Sequence, residues 1–303
     1  MKKDLLTEDD LELTDFTEIL DRADALKRMN RQGVSHTPLR GKGLGMIFDK
    51  ASTRTRISFE VGMFQLGGLA VYLNSRDTQV GRGESIADSA RVMSRYLHGL
   101  VIRTSLQRDV EEFARHASIP VINGLTDFLH PCQILSDLFT IREKFGGYEG
   151  IRVAYIGDGN NVANSWLNVA RRLPIRLTMA CPPGYDPDRE ILERATGEAQ
   201  AGFKLSRDPA EAVAGAQVVY TDTWASMGQE DQKEERIKAF ASYQVNEELL
   251  RRADPAVLVM HCLPAYRGQE ISASVMDGPR SVIYDQAENR LHVQKAILEM
   301  LMA

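Results

Sequence analysis

Residues 43–57 read G-L-G-M-I-F-D-K-A-S-T-R-T-R-I, and this is the most informative stretch of the chain. The short apolar run Gly43–Phe48 predicts a buried strand, and the apolar residues from Ile57 to Leu66 recur at helical spacing. Between them, the hydroxyl and guanidinium side chains of 52–56 stand where the helix begins. Backbone N–H groups are unsatisfied at a helix start, and the helix dipole is positive there. The stretch therefore predicts a strand–helix junction that binds an anion, most simply a phosphate.

The same order of strand and helix continues along the chain. Short apolar runs predict strands at 45–48, 69–73, 100–103, 120–122, 152–156, 176–179, 217–220, 257–260 and 281–284. Longer amphipathic stretches predict helices at 16–29, 85–96, 109–116 and 162–171. Such alternation is typical of parallel sheets covered by helices. Nine strands are many for one open sheet of this length, so we expect two similar Rossmann-like α/β domains.

The domain boundary is predicted near a helix at 130–145, which lies between the two series of strands and ends at Gly146-Gly147. A chain of 303 residues is long enough for two domains. We therefore predict a first domain at 1–140 and a second at 141–286. A final helix at 287–303 is expected to pack back on the first domain. Since ligands bind beyond the carboxyl ends of parallel strands, the site is expected in the cleft between the domains.

The composition is that of a folded, soluble protein, with 43% apolar and 26% charged residues. The net charge of −5 argues against a nucleic-acid binder. The first residues lack an apolar signal core, and no apolar run is long enough to cross a membrane. Three cysteines cannot all pair with one another, which favours reduced thiols and a cytoplasmic location.

Polar or cationic side chains follow nearly every predicted strand, and the two halves differ in kind. The first half supplies cationic groups, namely Arg54, Arg56, Arg103 and His130. The second half supplies amide, carboxylate and hydroxyl groups, namely Asn161, Asp222 and Ser226. Cations suit a phosphate-bearing ligand, and the second set suits an amine or a zwitterion. Together they indicate group transfer from an anionic donor to an amino-bearing acceptor.

Other motif interpretations fail on detail. The G-D-G-N-N-V stretch at 157–162 lacks the third glycine of a dinucleotide fingerprint, and no G-x-x-x-x-G-K-[ST] loop is present. His261 and Cys262 are sequence neighbours, which makes it difficult for both to bind one zinc ion, and no C-x-x-C pair supports them. We therefore expect no metal site. Cys132 is expected to be a small buried residue, and Cys262 is expected to line the active site.

Five motifs resemble those of the aspartate/ornithine carbamoyltransferases and follow the order of that family over nearly the whole chain. They are S-T-R-T-R at 52–56, H-P-C-Q at 130–133, D-T-W-A-S-M-G at 222–228, H-C-L-P at 261–264 and E-N-R at 288–290. The third and fourth resemble the ornithine branch of the family. The resemblance implies that carbamoyl phosphate and L-ornithine react to L-citrulline and phosphate, with no cofactor or catalytic metal. It also implies a trimer with active sites at subunit contacts.

The resemblance further implies a role for each matching residue. Carbamoyl phosphate would be bound by Ser52, Thr53, Arg54, Thr55, Arg103, His130, Gln133, Cys262, Leu263 and Arg290, together with Gln79 from a neighbouring subunit. Ornithine would be bound by Asn161, Asp222, Ser226 and Met227. In the reaction, Arg103 and His130 would stabilise the oxyanion on the carbonyl. Asp222 and Cys262 would position or deprotonate the attacking amine.

Alternatives to ornithine remain open at this stage. Aspartate carries a second carboxylate, which would call for cationic groups where Asp222 and Ser226 stand. An acylated ornithine or putrescine is another possible acceptor. A subunit that binds carbamoyl phosphate without catalysis, or a zinc hydrolase, would belong to a different functional class.

Overall fold

The computed structural model describes residues 4–50, 52–74, 83–198, 202–225 and 230–303. The described strands are β1 Gly43–Phe48, β2 Leu69–Asn74, β3 Gly99–Arg103, β4 Val121–Leu125, β5 Arg152–Ile156, β6 Arg176–Ala180, β7 Phe203–Ser206, β8 Val218–Thr221 and β9 Leu258–His261. The helices are α1 Leu13–Arg31, α2 Thr53–Gln65, α3 Ile86–Tyr96, α4 Gln107–His116, α5 Pro131–Phe145, α6 Asn161–Arg172, α7 Arg189–Glu198, α8 Pro209–Val213, α9 Lys233–Phe240, α10 Glu247–Leu250, α11 Ala273–Met276 and α12 Ile283–Met302.

The chain forms two compact units. Unit 1 comprises Met1–Phe139 with Glu288–Ala303, and unit 2 comprises Thr140–Ala287. We propose that these units are the two domains. Unit 1 holds a sheet of order β2-β1-β3-β4, and unit 2 holds a sheet of order β7-β6-β5-β8-β9. Every strand pair in both sheets is parallel, which confirms the predicted α/β class.

Each sheet contains one point where the order of the strands reverses. In unit 1 this point lies between β1 and β3, and in unit 2 it lies between β5 and β8. The connections that leave the two strands there run to opposite sides, which opens a crevice at their carboxyl ends. The four loops that follow these strands are therefore the places where ligand-binding residues are expected.

The core of each unit lies between its sheet and the helices that cover it. In unit 1, Ile47, Leu100 and Ile102 from the sheet pack with Ala90 of α3 and Phe113 of α4. All five side chains are at most 3% exposed. Burial of a large apolar side chain stabilises a fold by roughly 1.5–3 kcal/mol, so these contacts fix the strands that carry the loops.

Helix α12 returns to unit 1, and this part of the prediction is confirmed. Within unit 1, Lys27 of α1 donates to Asn289 Oδ1 over 2.6 Å, and Lys295 donates to Gln65 Oε1 over 2.8 Å. The backbone of α2 comes close to α12 at Gly62, where an added Cβ would lie 3.2 Å from the Lys295 side chain. These contacts pack the middle of α12 against the C-terminal half of α2.

Two details of the predicted strands are wrong. No strand forms at 281–284, because Ser281 makes only a single bridge to Val259 and α12 begins at Ile283. The β-branched run there favours a strand, but the helical pattern that follows extends back into it. Strand β7 was not predicted, since its four residues form a half-exposed edge without a continuous apolar run. Among the described helices, none combines the length and the apolar character that a membrane crossing requires.

Candidate active site

The loop after β1 ends in a helix cap. The Ser52 hydroxyl accepts a hydrogen bond from the Thr55 N–H over 3.3 Å, which satisfies one of the free donors at the start of α2. Arg54 is half-buried in the first turn of α2, and its Nε has no hydrogen-bond partner among the described residues. Thr53 is exposed. The junction thus has the cap and the guanidinium that the sequence predicted.

The hydroxyl of Thr55 lies between two guanidiniums. Its Oγ1 accepts from Arg103 over 3.3 Å and from Arg290 over 2.6 Å, and all three side chains are at most 6% exposed. A hydroxyl has two acceptor lone pairs and one hydrogen. Since both lone pairs are occupied, the hydrogen of Thr55 is the group that can donate to an oxygen of a bound ligand.

His130 lies at the start of α5 in a strongly cationic environment. Burial lowers its pKa well below 6.5, and the neighbouring Arg290, Arg103 and Arg54 lower it further. The imidazole is therefore neutral at neutral pH and offers one N–H donor and one acceptor. We define these four residues and Thr55 as the cationic cluster of unit 1. It can neutralise a phosphate and polarise an adjacent carbonyl.

Arg56, which follows the same helix start, has a different environment. Its Nε donates to Glu60 over 2.9 Å, one turn further along α2. Its guanidinium also lies over the Tyr72 ring at 3.8 Å from the ring centre. Arg56 therefore braces α2 against β2.

In unit 2, a carboxylate occupies the strand-order reversal. Asp222 follows β8 and is 5% exposed. Its Oδ2 accepts from Asn160 over 2.7 Å, and its Oδ1 accepts from the Cys262 thiol over 3.0 Å and from the Thr223 N–H over 2.8 Å. We define Asn160, Asp222 and Cys262 as the acidic cluster. It offers a negative charge and a thiol to a cationic or amine ligand.

The Asn160 side chain forms hydrogen bonds to Asp222 and to the start of α6 at the same time. While its Nδ2 donates to Asp222, its Oδ1 accepts from the N–H groups of Val162 and Ala163 and thereby caps α6. The Tyr155 hydroxyl also donates to this oxygen over 3.1 Å. Burial raises the pKa of Tyr155 well above 10, so the phenol remains a neutral donor.

The position of Cys262 is fixed by the residues on either side of it. Leu263 has a left-handed backbone with φ of 60°, which is uncommon for a residue with a side chain. Its N–H donates to His261 Nδ1 over 2.9 Å, and the Nε2 of the same ring lies 3.1 Å from Glu270 Oε1. Because Nδ1 accepts, Nε2 carries the proton and donates to Glu270. This bonding holds the turn that presents Cys262 to Asp222.

A buried ion pair supports the loops around the acidic cluster. The same nitrogen of Arg236 in α9 donates to Asp158 Oδ2 and to the Trp224 carbonyl, each over 2.8 Å. Asp158 follows β5, and Trp224 follows β8. Burial raises the pKa of Asp158 to about 6, although Arg236 opposes that shift. Arg236 therefore joins the two loops that carry Asn160 and Asp222.

His261 and Cys262 do converge with Asp222, contrary to the prediction that sequence neighbours would not approach one metal ion. Ligand atoms of Asp222, His261 and Cys262 lie within 4.8 Å of one another. Both nitrogens of the His261 ring, however, already take part in hydrogen bonds. A metal ion would have to displace the N–H of Leu263 or the carboxylate of Glu270.

Three predicted site residues, Gln79, Ser226 and Met227, lie outside the described residues. Asn161 is the first residue of α6 and is half-buried. Its neighbour Asn160 is the residue that contacts Asp222.

The two halves of the chain match two domains of one known protein family. Residues 3–143 match the carbamoyl-P binding domain of aspartate/ornithine carbamoyltransferase, and residues 149–301 match the Asp/Orn binding domain. The chain belongs to the aspartate/ornithine carbamoyltransferase family. Four members of the cationic cluster, Arg54, Thr55, Arg103 and His130, lie in the part of the chain that matches the carbamoyl-P binding domain. Arg290 and the acidic cluster lie in the part that matches the Asp/Orn binding domain.

Similar members of this family come from several organisms. The chain is 66% identical over 301 residues to an ornithine carbamoyltransferase from Syntrophus aciditrophicus, which covers 99% of this chain and 100% of that protein. It is 55% identical over 283 residues to the anabolic ornithine carbamoyltransferase of Pseudomonas aeruginosa, with 93% and 92% covered. The structure of the Pyrococcus furiosus ornithine carbamoyltransferase has a TM-score of 0.95 and 50% identity, and the match covers 99% of this chain and 96% of that one.

Three residues that position the site, Asn160, Asp158 and Arg236, are not predicted by the sequence motifs. Asn160 and Asp158 follow a buried strand in the G-D-G-N-N stretch, and that position could have identified them as site residues. Arg236 stands in the charged run K-E-E-R-I-K at 233–238, which is typical of a solvated helix. Nothing local distinguishes this arginine from its exposed neighbours, although it is only 7% exposed.

Proposed function

We propose that the protein transfers the carbamoyl group of carbamoyl phosphate to the side-chain amine of L-ornithine, giving L-citrulline and phosphate. The observation that carries this proposal is the opposite character of the two clusters. Thr55 lies between two arginines beside the neutral His130, and Asp222 is held beside Cys262. The first set suits an acyl phosphate, and the second suits an amine. Relatives named ornithine carbamoyltransferase support the same conclusion.

The reaction follows from the chemistry of these groups. The amine nitrogen attacks the carbonyl carbon, a C–N bond forms, and the bond from that carbon to the phosphate oxygen breaks. His130, Thr55 and Arg103 donate to the carbonyl oxygen as it becomes negative. Arg54 and the start of α2 bind the leaving phosphate, which takes up the proton that the amine releases.

The side chain of ornithine is an ammonium group and must lose one proton to solvent before its nitrogen can attack; the proton that the phosphate takes up is a second one, released after the C–N bond has formed. A primary amine of this kind has a pKa near 10.4 in water, so it is almost fully charged at neutral pH. We propose that Asp222 and Cys262 bind this end of ornithine and orient its lone pair. Asn161, Ser226 and Met227 are proposed to bind the amino-acid end.

The remaining predicted ligands of carbamoyl phosphate stay part of the proposal. They are Ser52, Thr53, Gln79, Gln133, Cys262, Leu263 and Arg290. Arg290 is supported by its 2.6 Å contact with Thr55. No cofactor and no catalytic metal enters the proposed reaction.

A citrulline assay on the purified protein tests this function. Ornithine, acetylornithine, aspartate and putrescine are each offered with carbamoyl phosphate, and the carbamoylated product is quantified. We expect turnover with ornithine at least a hundredfold faster than with the other three acceptors. Faster turnover with another acceptor would refute the substrate assignment. Tight binding of carbamoyl phosphate with no turnover would favour a non-catalytic subunit.

We further propose that the protein acts as a homotrimer. Large apolar side chains are exposed along α2 and the edge strand β2, including Phe64 at 78% and Leu69 at 65%. Large apolar side chains left exposed on neighbouring elements are typical of a subunit interface. A substitution F64E/L69E should release monomers in analytical ultracentrifugation, whereas wild type and Y284E, a control at an exposed site in unit 2, should sediment as three chains. A monomeric wild type would refute the trimer.

We place the reaction in the cytoplasm and in arginine synthesis. The proposed role of Cys262 requires a reduced thiol, which is what cytosolic conditions maintain. The 55% identical relative named anabolic supports a biosynthetic role. Arginine auxotrophy after deletion of the gene, rescued by the wild-type chain, would support the role, and prototrophy would refute it.

A further inference from the structure

The orientation of one amide group in unit 1 is set by a buried acid. Gln133 lies one turn after His130 on α5 and is 1% exposed. Its Nε2 donates to Asp137 Oδ1 over 2.8 Å, and Asp137 is completely buried one further turn along the helix. Residues three or four apart lie on the same face of a helix, so His130, Gln133 and Asp137 form a row.

The pairing decides which end of the amide faces away from Asp137. A carboxylate can only accept hydrogen bonds, whereas an amide has an NH₂ end that donates and an oxygen that accepts. The NH₂ of Gln133 must therefore face Asp137, and its Oε1 points to the other side. This oxygen is buried and has no hydrogen-bond partner among the described residues. A buried polar atom in that condition is costly unless a ligand supplies a donor.

We propose that Asp137 is a positioning residue that locks the Gln133 amide with its oxygen toward the donor substrate, and that this orientation selects an acyl phosphate whose acyl group carries N–H donors. The inference rests on the proposed function. Carbamoyl phosphate and acetyl phosphate share the phosphate and the carbonyl, and differ only in an NH₂ against a methyl group. The cationic cluster acts on the shared parts and cannot separate the two compounds.

An inverted amide would lose this selectivity. If the NH₂ of Gln133 faced the ligand, it would meet the NH₂ of carbamoyl phosphate, and two donors cannot form a hydrogen bond. The methyl group of acetyl phosphate would then bind at least as well as the NH₂ of carbamoyl phosphate. A site built to bond an N–H discriminates strongly against the analogue that lacks it, because the buried oxygen is then left unpaired. The acid behind the amide therefore controls specificity without touching the substrate.

The test compares affinities of carbamoyl phosphate, acetyl phosphate and inorganic phosphate, measured by isothermal titration calorimetry on the full-length protein. The selectivity is the ratio of the acetyl phosphate to the carbamoyl phosphate dissociation constant. We expect a ratio of at least ten for wild type. D137L, which removes the acceptor, should lower the ratio to below three while leaving the affinity for inorganic phosphate within threefold. A D137L protein that keeps the wild-type ratio would overturn the proposal.

A double substitution separates positioning from a general structural effect. Q133M removes the amide at nearly the same volume and should reach the same low ratio. Because Asp137 acts through Gln133, Q133M/D137L should show the ratio of Q133M alone, and a further loss would contradict the proposal. Should D137L fail to fold, D137N offers both a donor and an acceptor at the same size. It should lower the ratio at least threefold, and an unchanged ratio would again overturn the inference.

The same experiment distinguishes this inference from the proposed function. If wild type binds neither carbamoyl phosphate nor inorganic phosphate, the proposed function has failed. If wild type binds carbamoyl phosphate and forms citrulline but the ratio is unaffected in D137L and D137N, the proposed function stands and the role of Asp137 has failed.

Discussion

The two units have the same kind of sheet and place polar groups at the same kind of position, yet the charges there are opposite. In unit 1, Thr55 lies between two arginines at the strand-order reversal. In unit 2, Asp222 occupies the equivalent position and receives bonds from Asn160 and Cys262. The parallel sheet decides where ligands are bound, and the few side chains that follow the strands decide which ligand.

The two units also differ in how their charges are balanced. In unit 1, three guanidiniums lie close enough to His130 to lower its pKa. In unit 2, the buried Asp158 is paired with Arg236 over 2.8 Å. An anionic ligand would therefore relieve repulsion in unit 1, whereas unit 2 is organised before its ligand arrives. Four experiments test this difference between the units.

The largest effect is expected for Arg54→Met, which removes a cation from unit 1. Loss of one charged donor to the transition state should lower kcat/KM for carbamoyl phosphate by about 10³-fold. Steady-state citrulline assays measure it. Arg56→Met, two residues away, is the matched control and should stay within fivefold of wild type, because Arg56 contacts Glu60 and Tyr72 instead. Equal losses in both variants would show that the cationic run acts only as a whole.

Next comes Asp222→Asn, which removes the charge of unit 2 at constant size. The amine of ornithine would lose its counter-charge, so kcat/KM for ornithine should fall by about 10²-fold. Calorimetry should show an unchanged affinity for carbamoyl phosphate. The control is Asp277→Asn, an exposed partner of Arg267. A parallel loss of carbamoyl phosphate affinity in Asp222→Asn would contradict the separation of tasks between the units.

A smaller effect is expected for Arg236→Lys. Lysine keeps the charge but cannot bond Asp158 and Trp224 with the same planar geometry. The loops of the acidic cluster should become less well fixed, and KM for ornithine should rise about tenfold with little change in kcat. Arg189→Lys, at an exposed pair with Glu193, provides the control. If instead kcat falls and KM is constant, the ion pair contributes to chemistry and not to positioning.

The smallest effect concerns the pH dependence of stability. The pKa of Asp158 is about 6 in the folded protein and 3.8 in its ordinary state. The native state holds this proton to higher pH, so its contribution to stability is complete below pH 3.8 and is lost as the pH rises through 6. From pH 5 to pH 7, the stability of wild type relative to Asp158→Asn should fall by about 1 kcal/mol. Urea unfolding at both pH values measures this, and a constant or growing difference would rule the shift out.

Local patterns predict most of this architecture. The β1–α2 junction combines a buried strand, a cap and a helical period, and each signal points to the same structure. The strand predicted at 281–284 is wrong because its β-branched run favours a strand whereas the residues that follow favour a helix, and Ile283 belongs to the helix. Strand β7 cannot be predicted from the sequence because a four-residue edge strand has too little periodicity.

Some residues of the candidate site are also predictable from local sequence, and others are not. Ser52 and Arg54 are close in sequence, and Asp222 follows a strand, so their positions are visible in the sequence. Arg290 lies 235 residues from Thr55 along the chain, and only the family resemblance linked the two. The partnership of Arg236 and Asp158 spans 78 residues and depends on tertiary packing, which no local pattern records.

The side chain at position 160 restricts how this protein could change. Its oxygen caps α6, and its nitrogen holds Asp222. Aspartate or serine would cap the helix about as well, but aspartate has no hydrogen to give Asp222, and serine is too short to span both contacts. Among the usual capping residues, only asparagine satisfies both demands. A substitution at position 160 that stabilises the helix would therefore also change how Asp222 is held. One that adapts the site to a different acceptor would also change the helix cap. The stability of α6 and the choice of acceptor cannot be altered independently at this position.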